Sequence, residues 1–317
     1  MRARPIVLCG LALIVSLVEI GCGGGGEEQT TAQNPPASPL AARVLLSGNI
    51  PRVRAADFER PTAIYRRHVL SELAPMQRDV EQLRGAIAAG DLPGARRAWL
   101  AADARYESIG AAYGAFGDLD ARINGGSGGL SGGVSSPEFT GLHRIELALW
   151  GRRSTADAAP YADRLASDLR ALRHAVPGIE IEPLEYVLRS HEVLEGALDL
   201  QLSGRESPWS GSALLALRSN LHGTEVVLGT LRGLIRRRSP RVLQRIEVSL
   251  DELAQAIRAA AGTGGSVPRW DRLTETERTA IAGLTAAAAE QLAYVPEVVD
   301  PRPPLPQKSA IGTEQTG

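Results

Sequence analysis

The chain has 317 residues, a formal net charge of −1 at pH 7, two cysteines and 4% aromatic residues. Near-neutrality excludes a surface built to neutralise a phosphate backbone, so nucleic acid is not an expected partner. Two cysteines exclude a scaffold stapled by disulfides, and the 44% hydrophobic content points to a packed core instead.

Arg2 and Arg4 precede an apolar run over 6–18 that is too short and wrongly flanked for a stable membrane span. The run ends in Glu19-Ile20-Gly21-Cys22, which looks like a bacterial lipobox. Gly before Cys fits that pattern; Glu19 stands where an aliphatic residue is usual. The sequence therefore predicts a lipoprotein signal peptide over 1–21, with cleavage before Cys22 and acylation of its sulfur. Such an anchor would hold the protein at the outer face of the cytoplasmic membrane, or on the periplasmic side of another envelope membrane. Cys9 leaves with the signal, so no internal disulfide is expected. Loss of Arg2, Arg4 and Glu19 removes two positive charges and one negative, leaving −2. The Gly- and Pro-rich polar stretch after Cys22 makes 22–54 a flexible tether, and 298–317 reads as a disordered tail.

Between them, 55–297 carries helical periodicity over 57–90, 94–116, 137–150, 157–175, 182–203, 211–238, 240–261 and 274–294, with no convincing alternating strand. Breaks fall at Gly90-Asp91-Leu92-Pro93, the Gly-rich 125–133, Pro177-Gly178 and Ser239-Pro240. Short connections between eight helices imply antiparallel packing in an all-α fold. Within 94–116, Trp99, Tyr106 and Tyr113 recur every seven residues beside Ile109 and Phe116, a stripe expected to face the core. Glu107 sits at its margin. Asp118 and Asp120 are expected to close this helix, either as turn-capping residues or near a site.

The run 138–150 is the most informative in the chain. At about 100° per residue, Phe139, Leu142, Ile145, Leu149 and Trp150 share one face, Glu146 falls inside that arc and His143 lies on its edge. A carboxylate among core residues needs a pair, a hydrogen bond or a metal, and a His three residues earlier can reach the same ion. On residues alone, a self-satisfied pair competes with a metal site. His191 and Glu195 pose the same question on 182–203, where they share an arc with Val187, Leu194, Leu198 and Leu202. Glu182, Glu185 and Glu192 are expected on the polar side.

The segment 99–123 followed by EFTGLHRIELALW resembles the imelysin-like family and, within it, the EfeO/EfeM iron-uptake proteins of the bacterial envelope. Gly204-Arg205-Glu206, Asn220, Gly223 and the helix over 272–296 agree with it, so the resemblance covers about 57–297. It implies two adjacent four-helix bundles and a metal cluster holding His143, Glu146, Glu107 and Glu206, with Asp120 behind them. Two family acids are replaced here by Gly110 and Asn124, and a His-Thr-Asp string by Gly211-Ser212-Ala213. The carboxylate cluster is thinned while His143 and Glu146 are kept.

The resemblance implies a metal-binding lipoprotein that receives iron, ferric or ferrous, and delivers it to an iron permease, with a haem peroxidase in the same system. Hard carboxylate oxygens with one imidazole suit iron, with copper or zinc as other candidates. A scaffold for a polymer or protein partner is the alternative. A peptidase ranks third, because the HExxH helix of zinc proteases is missing from the sequence. No catalytic residue is assigned.

Overall fold

The structure is a computed structural model, and it describes residues 52–262 and 267–301. The expected signal peptide, Cys22 and most of the expected tether and tail lie outside the described residues. No strand occurs among the described residues, and none of their helices is long and apolar enough to cross a membrane.

The helices begin where the sequence offers a cap or a proline. Helix α1 spans Glu59–Ala88. Asp91 starts α2 (Leu92–Glu107) by accepting a hydrogen bond from the Gly94 amide at 2.9 Å. A short α3 (Asp118–Asn124) precedes α4 (Gly141–Glu146), which runs on into a π-helical turn at Leu147–Gly151. Ser154 caps α5 (Thr155–Ala175). Glu182 and Pro183 open α6 (Pro183–Gly196), which also ends in a π-helical turn, Ala197–Gln201. Helix α7 (Ala213–Arg238) gives way at Ser239-Pro240 to α8 (Pro240–Ala261). A Thr274–Glu277 capping box starts α9 (Glu275–Leu292), and α10 (Tyr294–Val299) follows.

These helices form the expected pair of four-helix groups. In the first, α1 packs on α2 and α5, and α4 packs on α5; in the second, α8 packs on α7 and α9, and α6 on α7 and α9. The first group is sealed by Tyr65, Val69, Leu73, Met76, Trp99, Leu142, Ile145, Leu165 and Leu169, all essentially without solvent exposure. Each such side chain contributes roughly 1.5–3 kcal/mol by leaving water. The Trp99 indole N–H donates to the Leu142 carbonyl at 2.9 Å, tying α2 to α4 inside this core. The two groups meet along α2 and α7. There a Cβ on Gly223 would lie 2.4 Å from the Ser108 carbonyl oxygen, so only glycine allows the approach.

The structure corrects the predicted 94–116 helix. It ends at Glu107, and a 3₁₀ turn (Gly110–Ala112) and a single turn (Tyr113–Phe116) follow. Tyr113 meets Tyr106 across this break, with the rings stacked 4.8 Å apart and the Tyr113 hydroxyl donating to the Tyr106 carbonyl at 2.7 Å. The seven-residue period spans a break in the helix, not one continuous helix. Asp118 and Asp120 do not close that helix either; they open α3.

Candidate metal centre

Glu146 is fully buried near the end of α4, and what holds it is a loop far along the chain. Its Oε1 accepts the backbone amides of Trp209 at 3.1 Å and Ser210 at 2.7 Å. Its Oε2 has no hydrogen-bond partner and lies 3.6 Å from Nδ1 of His143. His143 is 2% exposed, with neither ring nitrogen hydrogen-bonded. The local cause is Gly141, whose φ of +71° starts α4 with a Cβ position only 2.2 Å from the Ile123 carbonyl oxygen. The absence of a Cβ there lets the α4 N-terminus sit against α3.

The other expected ligands gather around the same place. Glu107, Asp120, His143 and Glu206 line one cavity of about 640 Å³, together with Gly110, Asn124, Gln201 and Asn220. Glu107 is 4% exposed, and its Oε2 accepts from Gln201 Nε2 at 2.5 Å and Asn220 Nδ2 at 2.8 Å. Asp120 is half-buried and accepts the Tyr106 hydroxyl at 2.7 Å. Gly110 and Asn124, where the family resemblance leads to an expectation of acids, line this cavity too. The second His–Glu pair stands elsewhere. Glu195 is exposed and 3.9 Å from a half-buried His191, so the shared arc did not make a buried pair. Glu192, expected to be solvated, lines the cavity and pairs with Arg189 at 3.3 Å.

Asp103 was not among the expected ligands. It sits on α2 one turn before Glu107, is 1% exposed, and neither of its carboxylate oxygens has a hydrogen-bond partner. The signal was legible: Asp103 follows Trp99 by four residues and precedes Tyr106 by three, inside the aromatic stripe. Gln201 was also missed, since a π-helical turn rather than a regular helix delivers it.

Burial dominates the electrostatics. It pushes the Asp103 carboxyl up to about 8, with His143 opposing and Glu146 and Glu206 adding to the rise. Burial also drives Glu107 well above the usual carboxylate range, reinforced by Glu206 and Asp103 and opposed by the amides of Asn220 and Gln201. Glu206 and Asp120 are raised mainly by burial. For His143, burial pulls downward, but its contact with Glu146 and the charges of Glu206, Glu146 and Asp103 outweigh it, and the net shift is up. Several acids thus crowd one imidazole in a poorly solvated space, which favours a cation or protons. Among the described residues, no three His, Cys, Asp or Glu side chains stand close enough, as arranged, to hold an ion.

A protein with this helical architecture and an acid-rich, His-bearing cavity is matched by a family model described as Imelysin over residues 61–295. The chain belongs to the imelysin family, whose model also carries a peptidase designation. It is similar to the iron uptake system component EfeO of an Escherichia coli O1:K1 strain, at 27% identity over 73% of this chain and 61% of that protein. EfeO of Yersinia pseudotuberculosis is 28% identical over 74% of this chain and 63% of the relative. The chain therefore spans less than two thirds of the length of these relatives. A crystal structure from Parabacteroides distasonis, named for iron-regulated protein A, shares the fold with a TM-score of 0.55 and 15% identity. That match covers 80% of this chain and 97% of the other.

Proposed function

We propose that this chain is a non-enzymatic metal-binding component of an iron-uptake system, taking an iron ion into the cavity between its two helical groups and passing it to a membrane permease. The carrying observation is the unpartnered buried donor set: both ring nitrogens of His143 and the free Oε2 of Glu146, beside a wall of raised carboxyls. A fold normally pairs such atoms, and a cation is the group that would satisfy them together. The names of the EfeO relatives favour iron as the cargo. His143, Glu146, Glu107 and Glu206 are the proposed ligands, with Asp120 behind them. Zinc and copper are the competing ions. One imidazole and a few carboxylates leave positions for water or an anion, so exchange stays possible, as a carrier requires. Cys22 is the proposed lipid anchor, and a haem peroxidase is the proposed companion of the permease.

One observation favours a second reading, a scaffold for a polymer or protein partner. The cavity of about 640 Å³ is far larger than an ion, and its donors are not gathered to one point. Elemental analysis of protein purified without chelator separates the two. Iron, zinc or copper near one equivalent supports the carrier. Metal-free protein that takes up none of these ions on titration leaves the scaffold. Mapping of the mature N-terminus by mass spectrometry tests the anchor: any start other than an acylated Cys22 removes it.

A further inference from the structure

Between Val226 and Ile246 the chain carries six arginines and no acidic residue. Arg232, Arg236, Arg237 and Arg238 close α7, and Arg241 and Arg245 open α8. Five are exposed, all but Arg238, and of these five only Arg232 is ion-paired among the described residues, to Glu247. The negative pole of α7 accounts for Arg236, Arg237 and Arg238. It leaves Arg241 and Arg245 without a reason, because the first turns of α8 form a positive pole, where cations are disfavoured. Val248 continues the Arg241–Arg245 face of α8 and is 52% exposed.

The described chain starts at the same end of the molecule. His68 on α1 meets His222 on α7 with ring centroids 5.8 Å apart. Going back along α1 to Tyr65 goes forward along α7, because Tyr65 packs 5.3 Å from Tyr186, whose hydroxyl shares a hydrogen bond of 2.7 Å with Thr230. Helices α1 and α7 are therefore antiparallel, and the start of α1 lies at the arginine-bearing end of α7. Val53 and Phe58, both buried, fix the entering chain there. Helix α10 returns to this end too, with Arg245 5.3 Å over the Tyr294 ring. The cavity lies toward the other end: Asn220, on its wall, stands about 25 Å along α7 from Arg237.

Resting on the Cys22 anchor, we propose that this arginine-rich hairpin docks on anionic phospholipid headgroups of the membrane that holds the anchor. The expected tether would keep the entering chain, and with it the hairpin, within roughly 30 Å of the lipid. Over so short a reach the contact is nearly intramolecular, and a weak attraction is enough to orient the domain. Each arginine near an anionic surface strengthens binding roughly fivefold, so Arg236, Arg237 and Arg241 together contribute on the order of 100-fold. Guanidinium groups also match phosphate oxygens in a paired geometry that lysine does not offer. The acids near this end stand on other elements, Glu59 on α1 and Glu182 at the cap of α6. Docked this way, the protein keeps its cavity clear of the headgroups.

Acylated protein purified from membranes tests the pose. Val248→Cys or Leu200→Cys, the latter exposed at the cavity, takes a fluorophore, since the acyl chain blocks Cys22. Each is reconstituted into phosphatidylcholine vesicles carrying a headgroup-attached quencher, with or without about one third phosphatidylglycerol. On the anionic vesicles at low salt, the Val248→Cys label should be quenched at least about twofold more than the Leu200→Cys label. High salt, neutral vesicles, or Arg236→Gln/Arg237→Gln/Arg241→Gln should each abolish that difference. These three side chains are exposed, so the variant should keep its helical spectrum and unfolding midpoint. Equal quenching at the two labels overturns the proposal, as does a difference that ignores lipid charge. A difference that survives in the folded triple variant also overturns it, and leaves the hairpin for an acidic protein partner. Mass spectrometry of the same preparation separates the two readings. A mature chain without an acyl group fails the anchor and the pose with it, whereas an acylated chain without lipid-charge dependence fails the pose alone.

Discussion

His143 with Glu146 and His191 with Glu195 are the same two residue types about one turn apart on a helix, and they end in opposite environments. The first pair is 3% and 0% exposed in its side chains, at 3.6 Å; the second is 16% and 54% exposed, at 3.9 Å. Helical arcs place both pairs beside apolar neighbours, so periodicity alone cannot separate them. What separates them is the chain that covers each. Over Glu146 lies the loop bearing Trp209 and Ser210, whose amides need its oxygen. Glu195 has no such cover and points to solvent. A buried ion pair is weak evidence for stability and stronger evidence of a task, whereas an exposed one is ordinary surface.

The largest difference between the pairs should appear in stability. Glu146→Ala leaves two backbone amides without an acceptor and opens a cavity, at a cost of about 2–4 kcal/mol. Glu146→Gln retains a carbonyl acceptor for those amides and should cost less than half as much. Chemical denaturation of the two variants checks this; equal losses would mean that the loop does not depend on the acceptor. A second effect is expected from pH. A carboxyl whose folded pKa is raised holds its proton longer in the folded chain, so stability falls as pH rises between the unfolded and folded values. For Asp103 that window runs from 3.8 to about 8. His143, also raised, contributes stability that is present below 6.5 and lost as pH climbs through its higher folded value. The metal-free protein should therefore melt lower as pH goes from 5 to 8.5, by roughly 2–4 °C for each kcal/mol lost, and a bound divalent ion should reverse the trend. A midpoint that rises across this range would contradict the charge assignment. The smallest effect belongs to the exposed pair: His191→Ala and Glu195→Ala should each shift stability by no more than about 0.5 kcal/mol.

The helices, their order and their pairing into two groups were legible because apolar periodicity, prolines and caps agree along most of the chain. The site was legible at His143 and Glu146, where a charge interrupts an apolar face. It was less so at Asp103, which lies between Trp99 and Tyr106 in a stripe whose aromatic residues account for its burial. What the sequence concealed were features set by tertiary closure. Helix α2 gives way after Glu107 to a 3₁₀ turn, beside the close approach of Ser108 to Gly223, and Tyr113 stacks on Tyr106 across that break. The two π-helical turns have no local sequence signature, yet one follows Glu146 directly and the other delivers Gln201 to Glu107. Neither could be read from a period of 3.6.

The central claim is that the buried pair, and not the exposed one, holds an ion. Calorimetric titration of ferrous iron without oxygen tests it most directly, comparing wild type with His143→Ala/Glu146→Ala and His191→Ala/Glu195→Ala. Loss of two ligands should weaken binding by roughly 100-fold or more in the first variant, while the second binds like wild type. Protonation of His143 should also weaken wild-type binding, at a pH above the ordinary imidazole value because its pKa is raised. Equal affinity in wild type and His143→Ala/Glu146→Ala, with both folded, would contradict the claim.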